Sequence, residues 1–564
     1  MTSILYIFLP CKQIYPVGCT YLADYVHKRH PEIRQRILDL SQIAPGERSR
    51  AVREISEAVR PDLVCFSWRD IQIFSPHEGD ASLEQAFTFY YSNNPLKKIA
   101  ASFSGLKSLY QYYSGIRANL SHAWLIRKAC PHAQIMIGGG AFGAFAEQLI
   151  EKLPENTIGI LGEGEEAILK VVEGKPLDGE RFIVRQGGRT VKGLGQSYTD
   201  LSDLAMDLPY VTSIFPEYTA YAHDCIGVQS KRGCPYDCAF CLYPYLEGKS
   251  VRYRPAALVV QDIAQHYHQW GARRFWFTDA QFITGKAAYP QCTEIMERII
   301  AEKLELEWSG YIRTSLITAD FAKLMVKSGV GDLEVAITSG SQEVLNGLHM
   351  GFMLERLYDG CRYLAETGFR GKVILNYSLN APDETEATLR ESIESYKKVA
   401  AILGEDRVFP MMFFLGIQPN TDLEQRLLEE GYLTSGYNPL NLTPSSIRKL
   451  LYNPAPLSKL IGKACLAAWN RSAGGRTGSR DPRPWSGATG KGARPSGREP
   501  VLSGSGREGA TEPGVGWCKT EGASADLHRP SEGYADSSLL RGVELNSGRD
   551  VLLTLEEILS SRKP

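Results

Sequence analysis

Three closely spaced cysteines constrain what this chain can fold around more than any other feature. Cys234, Cys238 and Cys241 form the pattern C-x3-C-x2-C on one short segment. Cysteine thiolates are the usual protein ligands of iron–sulfur clusters, and a closed [4Fe–4S] cluster takes four of them. A structural zinc site is the alternative, but it needs four ligands in two pairs, whereas Cys225 stands alone upstream and Cys292 lies far downstream. The spacing therefore predicts a cluster bound by three protein thiolates, with its fourth iron open to another molecule.

The aromatic residue before the third cysteine, Phe240, completes a loop that resembles the signature of the radical S-adenosylmethionine (SAM) enzymes. The resemblance implies that the amino and carboxylate groups of SAM occupy the open iron, with Phe240 beside SAM. It also implies that the three cysteines are both metal ligands and catalytic residues. Twelve cysteines in 564 residues are too few for a disulfide scaffold, and an oxygen-sensitive cluster suits a reducing compartment, so we expect a cytoplasmic protein.

Residues 1 to about 170 alternate between apolar runs and helical patterns, which is typical of a doubly wound α/β sheet. Glycines follow the last two apolar runs. Ligands bind such sheets at the carboxyl ends of the strands, where glycine lets a ligand approach the backbone. We expect strands at residues 4–9, 36–40, 61–68, 133–138 and 157–161, and a helix at 19–29.

This Rossmann-like layout resembles the cobalamin-binding domain that precedes many radical SAM cores. The matching pieces are the Pro16-Val17-Gly18 turn, the run PDLVCFS with Ser67, the run IMIGGGAF with Gly138, Gly139 and Gly140, and the run LGEGEEA with Gly162, Glu163 and Gly164. The resemblance implies that these residues surround cobalamin. It also implies that no protein imidazole binds the cobalt, because the D-x-H-x-x-G motif is absent. A plain flavodoxin-like domain is the alternative that the residues alone leave open.

A long segment, residues 69–119, follows the third apolar run and is rich in phenylalanine and tyrosine. Loops of this length inside a compact domain are usually functional or disordered, and the aromatic content argues against disorder. We expect its aromatic stripe to pack along helices. A lid near the corrin ring or the substrate is the alternative.

From residue 225 onward, six further strand–helix units are expected, with strands at 225–230, 274–278, 306–311, 332–337, 373–379 and 409–415. Six units fit a partial (β/α)6 barrel, whose active site collects at the carboxyl ends of the strands. By resemblance, Asp279, Arg313, Ser339 and Gly340 are expected to contact SAM, with Arg313 on its carboxylate because a guanidinium matches that group in bidentate fashion. Core hydrogen bonding is the alternative for these side chains. Thr338 stands where the family usually has glutamate.

Composition divides the chain into segments. We expect a cobalamin-binding-like domain over 1–170, a linker over 171–220, a radical SAM core over 221–440, a helical extension over 441–470 and a final helix over 541–564. Residues 471–540 are dominated by Gly, Ser, Arg and Pro, which predicts a disordered insertion. RNA contact is the alternative, although the segment lacks the aromatic residues that alternate with basic residues in many RNA-binding segments. The net charge of −1 and the lack of a long apolar run predict neither a nucleic-acid partner nor a membrane span.

The two resemblances together imply a reaction. The reduced cluster cleaves SAM to a 5′-deoxyadenosyl radical, this radical abstracts hydrogen from an unactivated carbon, and cobalamin delivers a methyl group to that carbon. The expected partners are a small-molecule substrate and an electron donor such as flavodoxin or ferredoxin. A radical SAM cyclase or oxidoreductase of the same build is the first alternative. A tRNA methylthiotransferase is the second, although its additional cysteine pattern and its C-terminal RNA-binding barrel are both missing here.

Overall fold

Two seven-stranded sheets organise the described part of the chain. The computed structural model describes residues 1–10, 15–69, 80–195, 197–202, 204–222, 224–440, 451–474, 544–545 and 548–562. These ranges fall within one compact unit. None of the helices in them is long and apolar enough to cross a bilayer.

The first sheet has the order β2-β1-β3-β4-β5-β6-β7, and β1 to β5 are parallel. This order is flavodoxin-like, and it confirms the doubly wound sheet with all five expected strands. Helices α1, α2, α4 and α7 lie between or after its strands. The elements are β1 Ser3–Phe8, α1 Val17–Arg29, β2 Arg34–Asp39, α2 Arg48–Val59, β3 Leu63–Ser67, α3 Asp80–Tyr91, α4 Pro95–Ala129, β4 Gln134–Gly138, α5 Gly140–Ala144, α6 Ala146–Ile150, β5 Ile158–Ile160, α7 Glu165–Val172, β6 Arg181–Gln186 and β7 Arg189–Leu194.

The segment 171–220 is not simply the linker expected from its composition. Strands β6 and β7 form an antiparallel hairpin, and β6 pairs with β5, so the hairpin extends the first sheet. Two short helices follow and lead to the second sheet. They are α8 Leu208–Ile214 and α9 Thr219–Ala222.

The second sheet contains six parallel strands, as a partial (β/α)6 barrel requires, and each overlaps its expected range. Its order is β16-β15-β14-β13-β12-β11-β8, with β16 antiparallel at the edge. The elements are β8 Ile226–Val228, β9 Lys231–Arg232, α10 Tyr243–Glu247, β10 Arg252–Tyr253, α11 Ala256–Trp270, β11 Arg274–Phe277, α12 Tyr289–Ala301, β12 Glu307–Tyr311, α13 Ala319–Lys327, β13 Val330–Thr338, α14 Gln342–Gly347, α15 Leu354–Glu366, β14 Val373–Leu379, α16 Glu386–Leu403, β15 Val408–Phe414, α17 Asp422–Glu429, α18 Ser458–Gly474, β16 Glu544–Leu545 and α19 Gly548–Ser561.

The aromatic segment 69–119 is helical over most of the residues that are described, namely α3 and the first part of α4. The aromatic residues of this segment differ in burial between α3 and α4. Phe87 on α3 is buried against Phe414 of the barrel and Trp469 of α18, with ring centroids 5.4 and 5.8 Å away. By contrast, Phe103 and Tyr110 on α4 are exposed. The stripe therefore packs as expected on α3, whereas the first half of α4 presents apolar side chains to solvent.

The C-terminal helix α19 closes the side of the barrel. Its residues Val551, Leu552, Leu555 and Leu559 are buried, while Leu553 on the opposite face is exposed. It contacts α18, α16 and β15. The final helix expected at 541–564 is thus part of the core. The low-complexity prediction for 471–540 lies outside the described residues, apart from the end of α18.

The packing of α19 predicts a strong difference between two leucines on the same helix. Leu555→Ala removes a buried side chain and leaves a cavity, so we expect a loss of about 2–4 kcal/mol of unfolding free energy. Leu553→Ala is the matched control and should cost under about 0.5 kcal/mol because that position is exposed. Thermal unfolding of both variants measures the difference, and equal midpoints would show that α19 does not pack on the barrel.

Candidate functional site

The loop that carries the three cysteines begins where β8 ends. Strand β9 pairs antiparallel with β10, so the loop begins and ends at this two-stranded pairing, which we call the clasp. At its start Gly233 has φ = +88°, and a side chain there would collide with the carbonyl oxygen of Ser250. The Gly233 amide donates to the Glu247 carboxylate over 3.0 Å, and the Cys234 amide donates to the Gly248 carbonyl over 3.1 Å. Glycine is therefore required for the turn that aims Cys234 inward.

The three thiols line one cavity at the carboxyl ends of the barrel strands. Burial raises the pKa of Cys234 to about 11. Burial also raises the pKa of Cys241, and the neighbouring thiols of Cys238 and Cys234 raise it further. The three sulfurs are thus close enough to interact, although within the described ranges no three cysteine, histidine or acidic side chains already form a metal-ligand set.

This donor set fits an iron–sulfur cluster. Deprotonating three buried thiols beside one another is unfavourable without a cation, and a metal cluster supplies the positive charge that stabilises thiolates. The described part of the cavity wall offers three thiols and no fourth, because its other polar members are amide, hydroxyl and guanidinium groups. The role of the three cysteines as cluster ligands stays a prediction, which their shared cavity supports.

Arg313 follows β12 and lies in the same cavity. Its guanidinium stacks on the Tyr236 ring at 3.4 Å and on the Phe352 ring at 5.4 Å. Its Nη2 lies 3.8 Å from the sulfur of Cys238. Phe240 also lines the cavity. Both residues occupy positions from which they can contact a molecule on the open iron, so their predicted role in SAM binding stays a prediction with supporting geometry.

Asp279 has a different role from the one expected. Its carboxylate is fully buried and accepts hydrogen bonds from the Ser230 amide at 2.7 Å and from the Lys231 amide and ammonium, each at 3.0 Å. Burial alone lowers the pKa of Lys231, but the charge of Asp279 outweighs this and raises it. Asp279 therefore holds the start of the cysteine loop in place through Ser230 and Lys231. Both oxygens of its carboxylate already accept hydrogen bonds from these residues in the absence of SAM.

Ser339 and Gly340 also turn away from the cavity. The Gly340 amide donates to the Ser392 hydroxyl over 2.8 Å, and the Ser341 amide donates to the Ser339 hydroxyl over 3.1 Å. A side chain at Gly340 would lie 2.5 Å from the Ser392 Cα. These two residues seat β13 against α16, and the core alternative describes them correctly. The neighbouring Thr338, held at φ = +67°, is the residue that lines the cavity.

Four polar atoms in the cavity wall are buried without a hydrogen-bond partner: Gln281 Oε1, Thr314 Oγ1, Thr338 Oγ1 and Asn376 Oδ1. Buried polar groups without partners are uncommon and indicate a missing ligand or water. Each of these atoms can accept a hydrogen bond, and SAM offers donors in its ammonium, ribose and adenine groups. The cavity thus fits SAM, through residues that the sequence analysis did not select. In the sequence, these residues could have been recognised by their positions just after or near the ends of the barrel strands.

The predicted cobalamin residues meet at the carboxyl edge of the first sheet. Ser67 and Gly138 end neighbouring strands and are direct partners. Gly139 has φ = +96°, and a side chain there would lie 2.5 Å from the Trp68 carbonyl oxygen. Gly140 begins α5. Beyond β5, no atom of the described chain lies within 4 Å of the position that a Cβ on Gly162 would occupy. Small residues therefore lie at this edge, and among the described residues the position of Gly162 has open space beside it.

The Pro16-Val17-Gly18 turn starts α1 at the junction of the two sheets. Val17 packs against Gly227 of β8, where an added Cβ would lie 2.8 Å from the Val17 side chain. Gly18 has open space around it. The turn thus borders both the first sheet and the first barrel strand.

Glu163 is directed into a buried ion cluster. Its carboxylate accepts from Arg232 Nη1 at 3.0 Å and also pairs with Arg252, while Arg232 Nη2 contacts Glu165 at 2.5 Å. Burial raises the pKa of Glu163, but the hydrogen bond from Arg252 and the charge of Arg232 outweigh it, so the net shift is downward. Glu163 and Glu165 belong to the first domain, whereas both arginines belong to the clasp. The cluster therefore fastens the cysteine loop to the first domain.

Gly164, the last of the predicted cobalamin residues, lies just before α7. A side chain there would lie 3.1 Å from Leu22 of α1. Lys231, Arg232 and Arg252 are positioning residues that were not predicted from the sequence. The available signal was the pair of charges at 231–232, placed directly between an apolar strand and the first cysteine.

The family model of the radical SAM superfamily matches residues 228–395. An uncharacterised methyltransferase of Pyrococcus horikoshii is 24% identical over 245 residues, which cover 43% of this chain and 51% of that protein. The anaerobic magnesium-protoporphyrin IX monomethyl ester cyclase of Cereibacter sphaeroides is 24% identical over 280 residues, which cover 46% of this chain and 44% of that protein. The chain thus matches about half the length of these curated relatives.

Among solved structures, the radical SAM methyltransferase TsrM of Kitasatospora setae, with tryptophan and a SAM analogue bound, is similar with a TM-score of 0.63. The sequences are 16% identical, and the match covers 83% of this chain and 89% of that one. At this identity the likeness shows a shared fold, which includes both sheets. The superfamily match covers the strands and the loop that bring the three cysteines to one cavity, so this chain contains a radical SAM domain over residues 228–395.

Proposed function

We propose that this chain is a cobalamin-dependent radical SAM enzyme that methylates an unactivated carbon of a small molecule. One observation carries the proposal: the loop with the three cysteines is fastened by buried ion pairs to the domain whose sheet edge is lined by glycines. A cavity for a cluster and SAM thus adjoins an open edge suited to a broad ring. Transfer between two cofactors needs such a fixed arrangement.

The residues of the cavity have distinct roles in this proposal. Cys234, Cys238 and Cys241 hold three irons. Arg313 binds the carboxylate of SAM, and its stacking on Tyr236 keeps the guanidinium in place. The four buried acceptors in the wall orient the remaining polar groups of SAM. When bound, the cluster and SAM supply one-electron cleavage of a sulfonium bond, and cobalamin supplies methyl transfer.

Support for cobalamin comes from the sheet edge. Ser67, Gly138, Gly139, Gly140 and Gly162 place small residues at this edge, as the approach of a broad ring to the backbone would require. The resemblance in sequence points the same way, and so does the fold shared with TsrM, which has been solved with cobalamin and a [4Fe–4S] cluster bound. We further propose a flavodoxin or ferredoxin as electron donor and the cytoplasm as location, because both suit an oxygen-sensitive cluster.

A cyclase or oxidoreductase of the same build is the second candidate. The observation in its favour is the similarity to the magnesium-protoporphyrin ester cyclase, which extends over 280 residues. A methylthiotransferase is the third candidate, although the sequence lacks the additional cysteine pattern and the C-terminal RNA-binding barrel that this class implies.

Anaerobic reconstitution of the full chain distinguishes these candidates. Iron–sulfur absorption together with corrin bands, and corrin recovered on extraction, would support the proposal. Transfer of a labelled methyl group from SAM to a product then separates methylation from cyclisation. Iron–sulfur absorption without corrin, even after hydroxocobalamin is supplied, would contradict the role of the first domain in the proposal.

Loss of one cluster ligand should abolish SAM cleavage. We expect Cys238→Ala to give no 5′-deoxyadenosine above background, because two thiolates do not hold the cluster. Cys225→Ala is the control, since Cys225 lies before the loop and does not line the cavity. Product is measured by chromatography after anaerobic reduction with SAM. Normal formation by Cys238→Ala would overturn the cluster assignment.

A bulky side chain at the glycine edge should block cobalamin. Gly162→Trp places an indole in space that the described chain leaves open, so we expect at least tenfold weaker binding of hydroxocobalamin, or about 1.4 kcal/mol, with an unchanged thermal midpoint. Gly115→Trp, an exposed and equally open position on α4, is the control. Equilibrium dialysis measures both. Unchanged binding by Gly162→Trp would show that cobalamin does not lie over this edge.

A further inference from the structure

The first half of α4 presents a row of large apolar side chains to solvent. Its members are 56% to 75% exposed, and they are Leu96, Ile99, Phe103, Leu106 and Tyr110. Single exposed apolar residues are ordinary, but a contiguous row on one helix marks an interaction surface. We call this row the α4 seam.

The spacing of the seam is that of a coiled coil. Its members follow one another at intervals of 3, 4, 3 and 4 residues, and Tyr113 continues the pattern with a further interval of 3. Alternating steps of three and four place apolar residues at positions a and d of a heptad, the pattern that packs against another helix. A helix that lies on a membrane has a broader apolar face. The seam therefore favours a helix as its partner.

The seam ends where α4 enters the body of its own domain. The described second half of the helix is anchored by Ile116, Leu120, Ala123 and Ile126, all buried. After Tyr113, the next heptad position is Arg117, which interrupts the apolar row. Because the helix is already folded and anchored, a partner does not have to supply the cost of forming it. A short seam can therefore be enough for association.

The direction of α4 favours one orientation of a second copy. Residues 95–129 contain no aspartate or glutamate, and Lys97 and Lys98 lie at positions b and c of the heptad, which face away from the seam. A parallel pair would align the helix dipoles and would set both domains at the same end. An antiparallel pair centred between Phe103 and Leu106 places Lys107 opposite neutral residues near Ala100 of the second copy. It also matches each a position with a d position and opposes the helix dipoles.

The seam is a contiguous apolar surface that a second copy can cover. Each of its five members is 56% to 75% exposed, so each has apolar surface to bury on pairing. A twofold axis through the centre of the seam makes the surface complementary to itself. We propose that two copies of this chain form a dimer through antiparallel pairing of their α4 seams, with Phe103 of each copy packed against Leu106 of the other.

Sedimentation of the full chain over a range of concentrations tests the proposal. We expect a dimer whose dissociation constant rises at least a hundredfold in Phe103→Glu, because each layer then buries a carboxylate against leucine. The double variant Phe103→Glu/Leu106→Lys should recover at least tenfold of that loss, since antiparallel pairing sets each glutamate against a lysine. Leu194→Glu, at an exposed apolar position outside the seam, is the control and should not change association.

Each other outcome contradicts the proposal. A wild-type chain that stays monomeric would overturn it, and so would a dimer that Phe103→Glu leaves intact. Failure of the double variant to recover would exclude the antiparallel register, because parallel pairing sets like charges together. A monomer that binds anionic phospholipid vesicles through the seam would assign this face to a membrane surface instead. Circular dichroism confirms that each variant remains folded.

Discussion

The cysteine loop depends on charges buried directly beneath it. Lys231 is paired with Asp279 inside the barrel, and the adjacent Arg232 is paired with Glu163 and Glu165 of the first domain. Removing one member of a buried pair leaves an unpaired charge and typically costs about 3–5 kcal/mol. Two consecutive residues thus hold the start of the loop from two sides. The position of the three thiols is therefore set by both domains.

The same arrangement would bring the two proposed binding sites next to each other. A second buried contact joins the domains at Arg254, which pairs with Asp262 at 2.7 Å and donates to the Tyr21 hydroxyl of α1 over 2.8 Å. The turn before α1 packs on the first barrel strand through Val17. The carboxyl edges of both sheets therefore carry the loops that we propose as binding sites close to one junction, and a fixed junction orients reacting groups better than a flexible linker does.

Much of the fold was predictable because both sheets are largely parallel. Parallel strands are buried on both faces and read as short apolar runs, so the parallel strands of both domains were found within a few residues. The hairpin β6–β7 was missed because its outer strand is largely exposed and its sequence is polar. The helices after strand β3 were placed in general terms, but periodicity does not tell whether an apolar row faces the core or the solvent. That distinction separates Phe87 from Phe103.

The sequence by itself determined the cofactor chemistry, because the spacing of Cys234, Cys238 and Cys241 has few other uses and local spacing survives folding unchanged. It also determined the two sheets and their glycine-lined ends. Only the tertiary structure decided which polar residues face a ligand. Asp279 and Glu163 sit at strand ends like true ligand residues, yet their carboxylates pair with buried cations that lie far from them in sequence. Such pairing follows from long-range contacts, which no local pattern encodes.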